Sequence, residues 1–409
     1  MTPLLGVDEA QARLLAGVVA LPADDAPFPA ALGRILGRDV VARLTQPPFA
    51  ASARDGFAVR WADRPGPWRV IGESAAGRRF AGTVGAGEAV RILTGAPLPA
   101  GADTVIVQED VARAHAADGT ETLNLTGDGP PREGAHIRPA GLDFAAGDTV
   151  APAGGRVTPA RIGVAAAAGH ATLPVHRRPR VALLATGDEL VAPGTTPPRD
   201  SIVSSNGVML AALLSPVAEV IDGGIVADTR EDLTAAIHAH TYADAAVDLI
   251  VTIGGASVGD HDHVMPVLTA MGAEIDFWKI ALRPGKPMLS GRLAQTRIIG
   301  LPGNPVSAFV CATLFVVPLL KRLGGDPQPL PEPFAARLGV DLTANGPRRD
   351  YLRARLTDGL VTPFSRQDSG MLHVLADSNV LIRREPGAPP ATAGEIVSCI
   401  ALDTISGVA

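Results

Sequence analysis

Several things are scarce in this 409-residue chain, and each scarcity removes a class of protein. There are two cysteines, Cys311 in an apolar helical pattern and Cys399 in a late strand pattern, so neither a disulfide framework nor a zinc-ligand spacing is present. A formal net charge of −6 leaves no basic field for DNA or RNA, and nucleic acid is not an expected partner; a locally basic pocket stays open. Aromatic residues make up 4%, and no internal period or low-complexity tract occurs, which argues against repeat architectures. The longest apolar run, residues 306–320, reads as too short and too proline-interrupted to span a bilayer. The N-terminal MTPLLGVDEAQARLL carries acids rather than a basic region before an apolar core. A cytoplasmic protein with no membrane segment, in a reducing compartment, is the expectation. Glycine (45) and proline (36) are abundant, so many turns are predicted.

The length predicts two to four domains. Residues 8–19 read as an amphipathic helix with Asp8 and Glu9 in its first turn, and residues 30–36 as a second short helix after which 39–44 forms a strand. From Phe57 to about Asp148 short β-type runs (68–71, 89–92, 104–108, 122–125) alternate with Gly/Pro/Asp turns, a small all-β insert. Thr158-Pro159 gives an N-cap and first-turn proline to a helix over 160–168.

From Arg178 the pattern becomes strand, loop, helix: 180–185 then 206–214, 218–221 then 229–240, 249–253 then 261–271. Asp228 with Glu231 resembles a capping box for the middle helix. Such alternation predicts an α/β class, a doubly wound, mostly parallel sheet. Residues 275–282 and 297–301 add β runs, and the apolar helix 306–320 closes the domain. Beyond a proline-rich linker, 351–356 and 360–363 flank Asp358-Gly359 as a hairpin, with 380–384 and 395–401 as further strands of a C-terminal β domain. The expected organisation is a linker domain in two parts (1–46 and 149–177), a β insert or lid (47–148), an α/β domain (178–325) and a C-terminal β domain (326–409).

The chemistry gathers in loops at the carboxyl ends of strands, where a doubly wound sheet opens its crevice. After the buried run 249–253, Gly254-Gly255 permits a nest of N–H groups, Ser257 offers a hydroxyl, Gly259 keeps the approach open, and Asp262 suits either a helix cap or a divalent cation. No Gly-Lys-Ser/Thr ending follows, so this is not a Walker loop. In Thr186-Gly187-Asp188-Glu189, Asp188 is equally a turn cap or a crevice carboxylate, and Glu189 is a candidate acceptor for a heterocycle N–H or ligand for a metal ion. In the 300–307 segment Gly303 allows close approach, Asn304 caps or binds, and Ser307 lies in the first helical turn. Arg283-Pro284-Gly285-Lys286-Pro287 holds two cations on a stiff turn, either a solvated basic turn or a clamp for a multiply charged oxyanion. Asn206 opens a helix and is more often a cap than a ligand contact. Asp55 and Thr94 sit on loops of the insert, as turn formers or as one wall of a composite site, and the scattered histidines read as surface or hydrogen-bonded side chains.

Together PPFAASARDGFAV, RILTGAPLPAGADTVIVQED, HIRPAGLDFAAGD, RVALLATGDEL, VSSNG, IGGASVGDHD, RPGKP and GLPGNPVSAFV resemble, in order and through nearly the whole chain, the molybdopterin molybdenumtransferase family, bacterial MoeA and the gephyrin E domain. The resemblance implies a homodimer with composite sites that takes adenylylated molybdopterin and molybdate, uses Mg²⁺ and releases AMP. It also implies dealings with the molybdopterin adenylyltransferase and with molybdoenzyme maturation factors. It places Gly254, Gly255, Ser257, Gly259 and Asp262 around the pterin phosphate or nucleotide, with Asp188 and Glu189 nearby. Asp55, Thr94 and Asp143 approach from the partner subunit, and Asp55, Asp143, Asp188 and Glu189 are the implied metal ligands. Arg283, Lys286 and Ser307 hold molybdate or the diphosphate, joined by Arg353 and Ser369 from YLRAR and RQDSGML, with Arg348 competing for the role of Arg353. The sequence departs from the family pattern at Ala51, Arg54, Ser204 and Arg283, where Asn, Met, Asp and Lys are usual. The alternatives are a nucleotide pyrophosphatase on a related fold and a non-catalytic molybdopterin-binding or scaffold module.

Overall fold

The computed structural model describes residues 4–242, 246–255 and 263–402. It falls into two compact units, one made of the chain up to Asp24, Gly33–Gly37 and everything from Val175, the other of Asp25–Leu32 and Arg38–Pro174.

The second unit holds a six-stranded sheet in the order Thr104–Val107, Gly56–Val59, Glu88–Ile92, Trp68–Ser74, Glu121–Leu125, Val111–His115. Phe57, Trp68, Ile106 and Leu123 fill one face and Ala58, Ile92 and Val105 the other, so the sheet is sealed on both sides near its centre. The edge strand Val111–His115 escaped the sequence pattern because its residues are largely exposed and carry no buried alternation. Thr158 caps the helix Pro159–Ala167 as expected, its hydroxyl accepting from the Arg161 N–H at 3.3 Å. The expected helix over 30–36 shrinks to Phe28–Ala31, since the chain leaves helical geometry at Leu32 (φ −53°, ψ 132°).

The first unit contains the α/β sheet. Its strands are β1 (Arg180–Thr186), β2 (Glu219–Val226), β3 (Leu249–Ile253), β4 (Glu274–Trp278), β5 (Leu289–Leu293) and β6 (Thr296–Leu301), in the order β2-β1-β3-β6-β5-β4. The first four neighbours run parallel and β5 and β4 are added antiparallel. All five residues of β3 are buried, as its β-branched composition requires between two helix layers. One layer is α1 (Ser205–Leu214) with the long helix α4 (Pro305–Leu323), packed on Val181, Leu183, Val251 and Ile299. The other is α2 (Arg230–Thr241) with α3 (Val264–Ala270), packed on Ala182, Leu184 and Ile250.

Two local readings are corrected. The α2 cap is Thr229 rather than Asp228: its hydroxyl accepts from the Asp232 N–H at 3.1 Å, one residue later than the Asp228–Glu231 frame. The run 275–282 is two strands, because Lys279 takes a positive φ of 75° and Leu282–Arg283 leaves to pair in parallel with Arg349–Asp350 of the C-terminal sheet.

Helix α4 is longer than its apolar run suggested. At 19 residues it passes the length and composition test for a membrane span, yet 83% of it is buried inside the fold, which accounts for its apolarity. A π-turn at Ala312–Val316 lies within it, and Gln11 of the helix Val7–Leu15 donates to the Leu314 carbonyl at 2.9 Å, a partner for a peptide group at that irregularity.

The C-terminal strands close into a barrel-like sheet, Arg349–Thr357 pairing with both Leu360–Pro363 and Val380–Arg384. Asp358 and Gly359 both take positive φ (50° and 78°), the two-residue hairpin turn that Asp-Gly predicts. Arg349, its side chain 9% exposed, donates twice to Asp8 (2.5 and 2.7 Å) and once to Glu385 (2.9 Å), fastening the N-terminal helix to this sheet. Arg349→Met is expected to cost about 2 kcal/mol at neutral pH, measured by urea unfolding, because both exposed carboxylates can rehydrate while the bonds are lost. The Arg349 hydrogen bond holds the Asp8 carboxyl below its usual range. That contribution is therefore present above the ordinary Asp pKa and lost as pH falls through the depressed value, so the variant's deficit should narrow in strong acid.

Candidate functional site

The chain steps from β1 outward to β2 and then back across β1 to β3, so the loops after β1 and β3 diverge and leave a crevice at their carboxyl ends. Gly254 takes φ +100°, and a Cβ there would stand 2.7 Å from the Thr186 carbonyl oxygen, so only glycine lets the β1 and β3 loops approach this closely. Its N–H donates to Leu301 O at 3.0 Å, tying in the β6 loop, where Gly303 passes 3.8 Å from the Gly254 Cα at its would-be Cβ. Gly255 follows with φ +62°. Ser257, Gly259 and Asp262, the rest of that expected nest, lie outside the described residues.

A cavity of about 290 Å³ opens between these loops, lined by Thr186, Glu189, Ser204, Asn206, Gly303 and Pro305 among others. Asn206 neither caps its helix nor faces bulk solvent with both amide atoms. Its Nδ2 donates to the Gly303 carbonyl at 2.7 Å, bridging the α1 and β6 loops, while its Oδ1 is buried without a partner among the described residues. Asn304 precedes α4 without a side-chain cap bond. The Glu189 carboxylate lies against Gly187 and lines the cavity, which favours the hydrogen-bond acceptor among its two candidate roles.

Asp188 accepts from the Asp228 N–H at 3.0 Å, and this brings in a residue that sequence reading assigned only to a helix cap. Burial, then the neighbouring Asp188 and Glu189, push the Asp228 carboxyl above the usual range, with His263 opposing. Among the described residues no three His, Cys, Asp or Glu side chains converge as a metal-binding group. Magnesium, however, is commonly held by one or two carboxylates with substrate phosphates and water completing its shell. Asp188 and Asp228, neighbouring carboxylates with hard oxygen donors, fit that requirement.

The cation turn is built on α4. Gly285 (φ +115°) packs so closely that a Cβ would meet Cys311 Sγ at 2.4 Å, and that thiol, its pKa raised by burial, donates to Gly285 O at 3.6 Å. Lys286 is exposed and makes no ion pair among the described residues. Arg283 differs from its expected role. Its guanidinium is bound to the buried Asp350 carboxylate, 3% exposed, so most of its charge is already matched. Ser307 is buried in the first turn of α4, and Ser369 reaches the same place through its backbone, accepting from the Val306 N–H at 3.0 Å.

Arg353 is likewise reassigned: at 1% exposure it donates to Asp368 O (2.8 Å) and Met371 O (3.5 Å), and thus supports the loop that carries Ser369 and presents no charge at the crevice. Its competitor Arg348 donates to Leu282 O at 3.3 Å. YLRAR read as a ligand region because sequence cannot show that this arginine is taken up by the carbonyls of the 368–371 loop.

In the other unit the structure joins two residues that sequence placed 39 positions apart. Asp55 Oδ1 accepts from both the N–H and the hydroxyl of Thr94, each at 2.7 Å. These bonds, backbone first, with Arg91 nearby, hold the Asp55 carboxyl below its usual range although it is exposed. Thr94→Val, which removes the hydroxyl donor, is expected to move the Asp55 titration midpoint upward when followed by NMR; a lower midpoint would contradict the assignment. Asp143 is exposed in the same unit, its N–H donating to Gln46 O at 3.0 Å.

Three family models cover most of the chain: "MoeA N-terminal region (domain I and II)" over residues 5–169, "Probable molybdopterin binding domain" over 182–322, and "MoeA C-terminal region (domain IV)" over 335–402. The chain is 34% identical over 413 residues to the molybdopterin molybdenumtransferase of Haemophilus influenzae, spanning 97% of this chain and 98% of that one. The chain belongs to the MoeA family. It is also 38% identical over 371 residues to molybdopterin molybdenumtransferase 2 of Mycobacterium tuberculosis, covering 87% of this chain and 89% of the relative. The crystal structure of the Pyrococcus horikoshii molybdopterin biosynthesis MoeA protein superposes with a TM-score of 0.83 at 30% identity, covering 98% and 99% of the two chains.

Against the usual MoeA pattern, Ala51 is buried in the two-residue strand Ala51–Ser52 and Arg54 is exposed with its carbonyl accepting from Ser52. Ser204 is buried beside the cavity without capping α1. The change to Arg at 283 goes with the Asp350 pair, which a planar fork serves better than a point charge.

Proposed function

We propose that this chain transfers molybdenum from molybdate into adenylylated molybdopterin with release of AMP, as a cytoplasmic, Mg²⁺-dependent homodimer. The observation that supports the reading is that one compact unit carries the Gly254–Gly255 turn at positive φ, tied to the β1 and β6 loops, together with Asp188 beside Asp228 and an exposed Lys286 that makes no ion pair among the described residues. The substrate anhydride and molybdate are both anionic and repel one another. The Gly254 and Gly255 turn offers backbone N–H groups to phosphate oxygens, and Lys286 supplies the positive charge that lets molybdate approach. Arg283, already matched by Asp350, contributes less. When bound, Mg²⁺ supplies neutralisation of phosphate charge, and Asp188 and Asp228 would hold it. Asp55, kept ionised by Thr94, serves as a charged acceptor contributed with Asp143 from the partner subunit.

Purified protein incubated with adenylylated molybdopterin, Mg²⁺ and molybdate should yield AMP and metal-loaded pterin together. AMP released equally without molybdate would replace the proposal with a pyrophosphatase, and the absence of both products with a binding module.

A further inference from the structure

The helix Val7–Leu15 buries a stripe made of Val7, Ala10 and Leu14, and Gln11 lies on that stripe, one helical turn from Val7 and from Leu14, at 8% exposure. A leucine there would gain by burial, whereas a glutamine gives up the hydration of its amide and has to be compensated by hydrogen bonds. The compensation is specific. Gln11 Nε2 donates to the Leu314 carbonyl at 2.9 Å, inside the π-turn Ala312–Val316 of α4, where a widened turn disturbs the ordinary ladder of main-chain bonds. The one polar residue of the stripe thus serves the irregularity of another helix.

That irregularity begins where the cation turn rests on α4. Cys311, fully buried and immediately before the π-turn, donates from its thiol to the Gly285 carbonyl at 3.6 Å, and Gly285 packs against the sulfur with no room for a side chain. Each residue of an α-helix advances the side chain by about 100°, so the register in which Cys311 faces Gly285 while the rest of α4 keeps its place in the core depends on the extra residue that the π-turn accommodates. The same N-terminal segment reaches the other side of the turn. Leu5 O accepts from the Ala281 N–H at 2.7 Å, and the Ala281 carbonyl accepts at 2.9 Å from the N–H of Arg349, whose guanidinium is bound to Asp8. Beside them the Ile280 N–H donates to the Lys286 carbonyl at 3.1 Å. Residues 5–11 therefore brace both flanks of the segment that presents Lys286.

We propose that Gln11 is a positioning residue for Lys286. By holding the π-turn it keeps Cys311 against Gly285 and so sets where the Lys286 ammonium stands, although Gln11 itself meets no substrate. The proposal rests on the role given to Lys286 above.

The test is a double-mutant cycle on the full-length protein: kcat/KM for molybdate-dependent AMP release in the parent, Gln11→Leu, Lys286→Ala and the double variant, with urea unfolding of each. Gln11→Leu keeps the stripe apolar and removes the bond. It is expected to lower kcat/KM about tenfold in the parent and by less than about twofold in the Lys286→Ala background, because displacing an ammonium matters only while it is present. Equal losses in the two backgrounds would make Gln11 a residue of stability alone and overturn the proposal, as would no loss in the parent. Cys311→Ala, which takes away the sulfur beside Gly285, should show the same dependence on Lys286 and decides the matter if Gln11→Leu does not fold; a loss indifferent to Lys286→Ala would overturn the proposal. If Lys286→Ala alone keeps the parental rate, the role of Lys286 fails and this proposal with it. If Lys286→Ala is slow and the cycle is additive, the role of Lys286 stands and the proposal alone fails.

Discussion

Lys286→Ala is expected to lower kcat/KM for molybdate-dependent AMP release by on the order of 100-fold, the value of one charge-assisted contact in a site that joins two anions. The expectation follows from contrast within the turn. Arg283 is bound to the buried Asp350, whereas Lys286 is exposed and has no carboxylate partner among the described residues. Lys286→Arg should recover part of the loss by returning the charge without its point geometry. Arg283→Ala should cost less in rate and more in stability, since it strands a carboxylate that is 3% exposed. Steady-state kinetics with molybdate varied, together with urea unfolding of both alanine variants, measures the two effects. Equal rate losses at 283 and 286 would show that the Asp350 pair opens during turnover and would refute the division of labour.

Gly254→Ala should be the most damaging single-methyl change in the crevice. The new Cβ would sit 2.7 Å from Thr186 O and 2.9 Å from Thr186 Oγ1, at a φ of +100° that L-residues rarely adopt. Backbone, not a yielding side chain, is the nearest obstacle. Strain and overlap together should cost about 2–4 kcal/mol and move the β3 loop away from the β1 loop. Loss of AMP release by more than about 100-fold, with a lowered unfolding midpoint, is the expected pair of results. A variant with parental activity would show that the amides of this turn do not touch substrate.

How much of this was legible beforehand differed by level. The α/β alternation, the buried β3 run and the Asp358-Gly359 hairpin were readable because each is a local rule: period, burial on two faces, and φ > 0 at the turn. The strand Leu289–Leu293 was missed because Ser290, Gly291 and Arg292 break its apolar pattern even though Ser290 and Gly291 are buried. At the site, the glycine loops and Lys286 stood out as residue types, whereas the fates of Arg283 and Arg353 depended on Asp350 and on the 368–371 carbonyls, partners 67 and 15 or more residues further along the chain. Asp228 was hidden for a related reason. Its proximity to Asp188 arises from β1 and β2 lying side by side, and no spacing in the chain reports that.

The short strand Leu282–Arg283 has a bearing on how this molecule could be cut. Three residues before Lys286 the backbone is already hydrogen-bonded into the barrel-like sheet, beside the residue that neutralises Arg283. A chain terminated after α4 would therefore not be a smaller catalyst lacking an ornament; it would have an untethered 283–287 turn and an arginine without its Asp350 counter-ion. Module exchange between relatives should succeed only when the 282–287 segment and the 349–350 ladder travel together, and two fragments split in the 324–333 connector should regain activity only on reassembly.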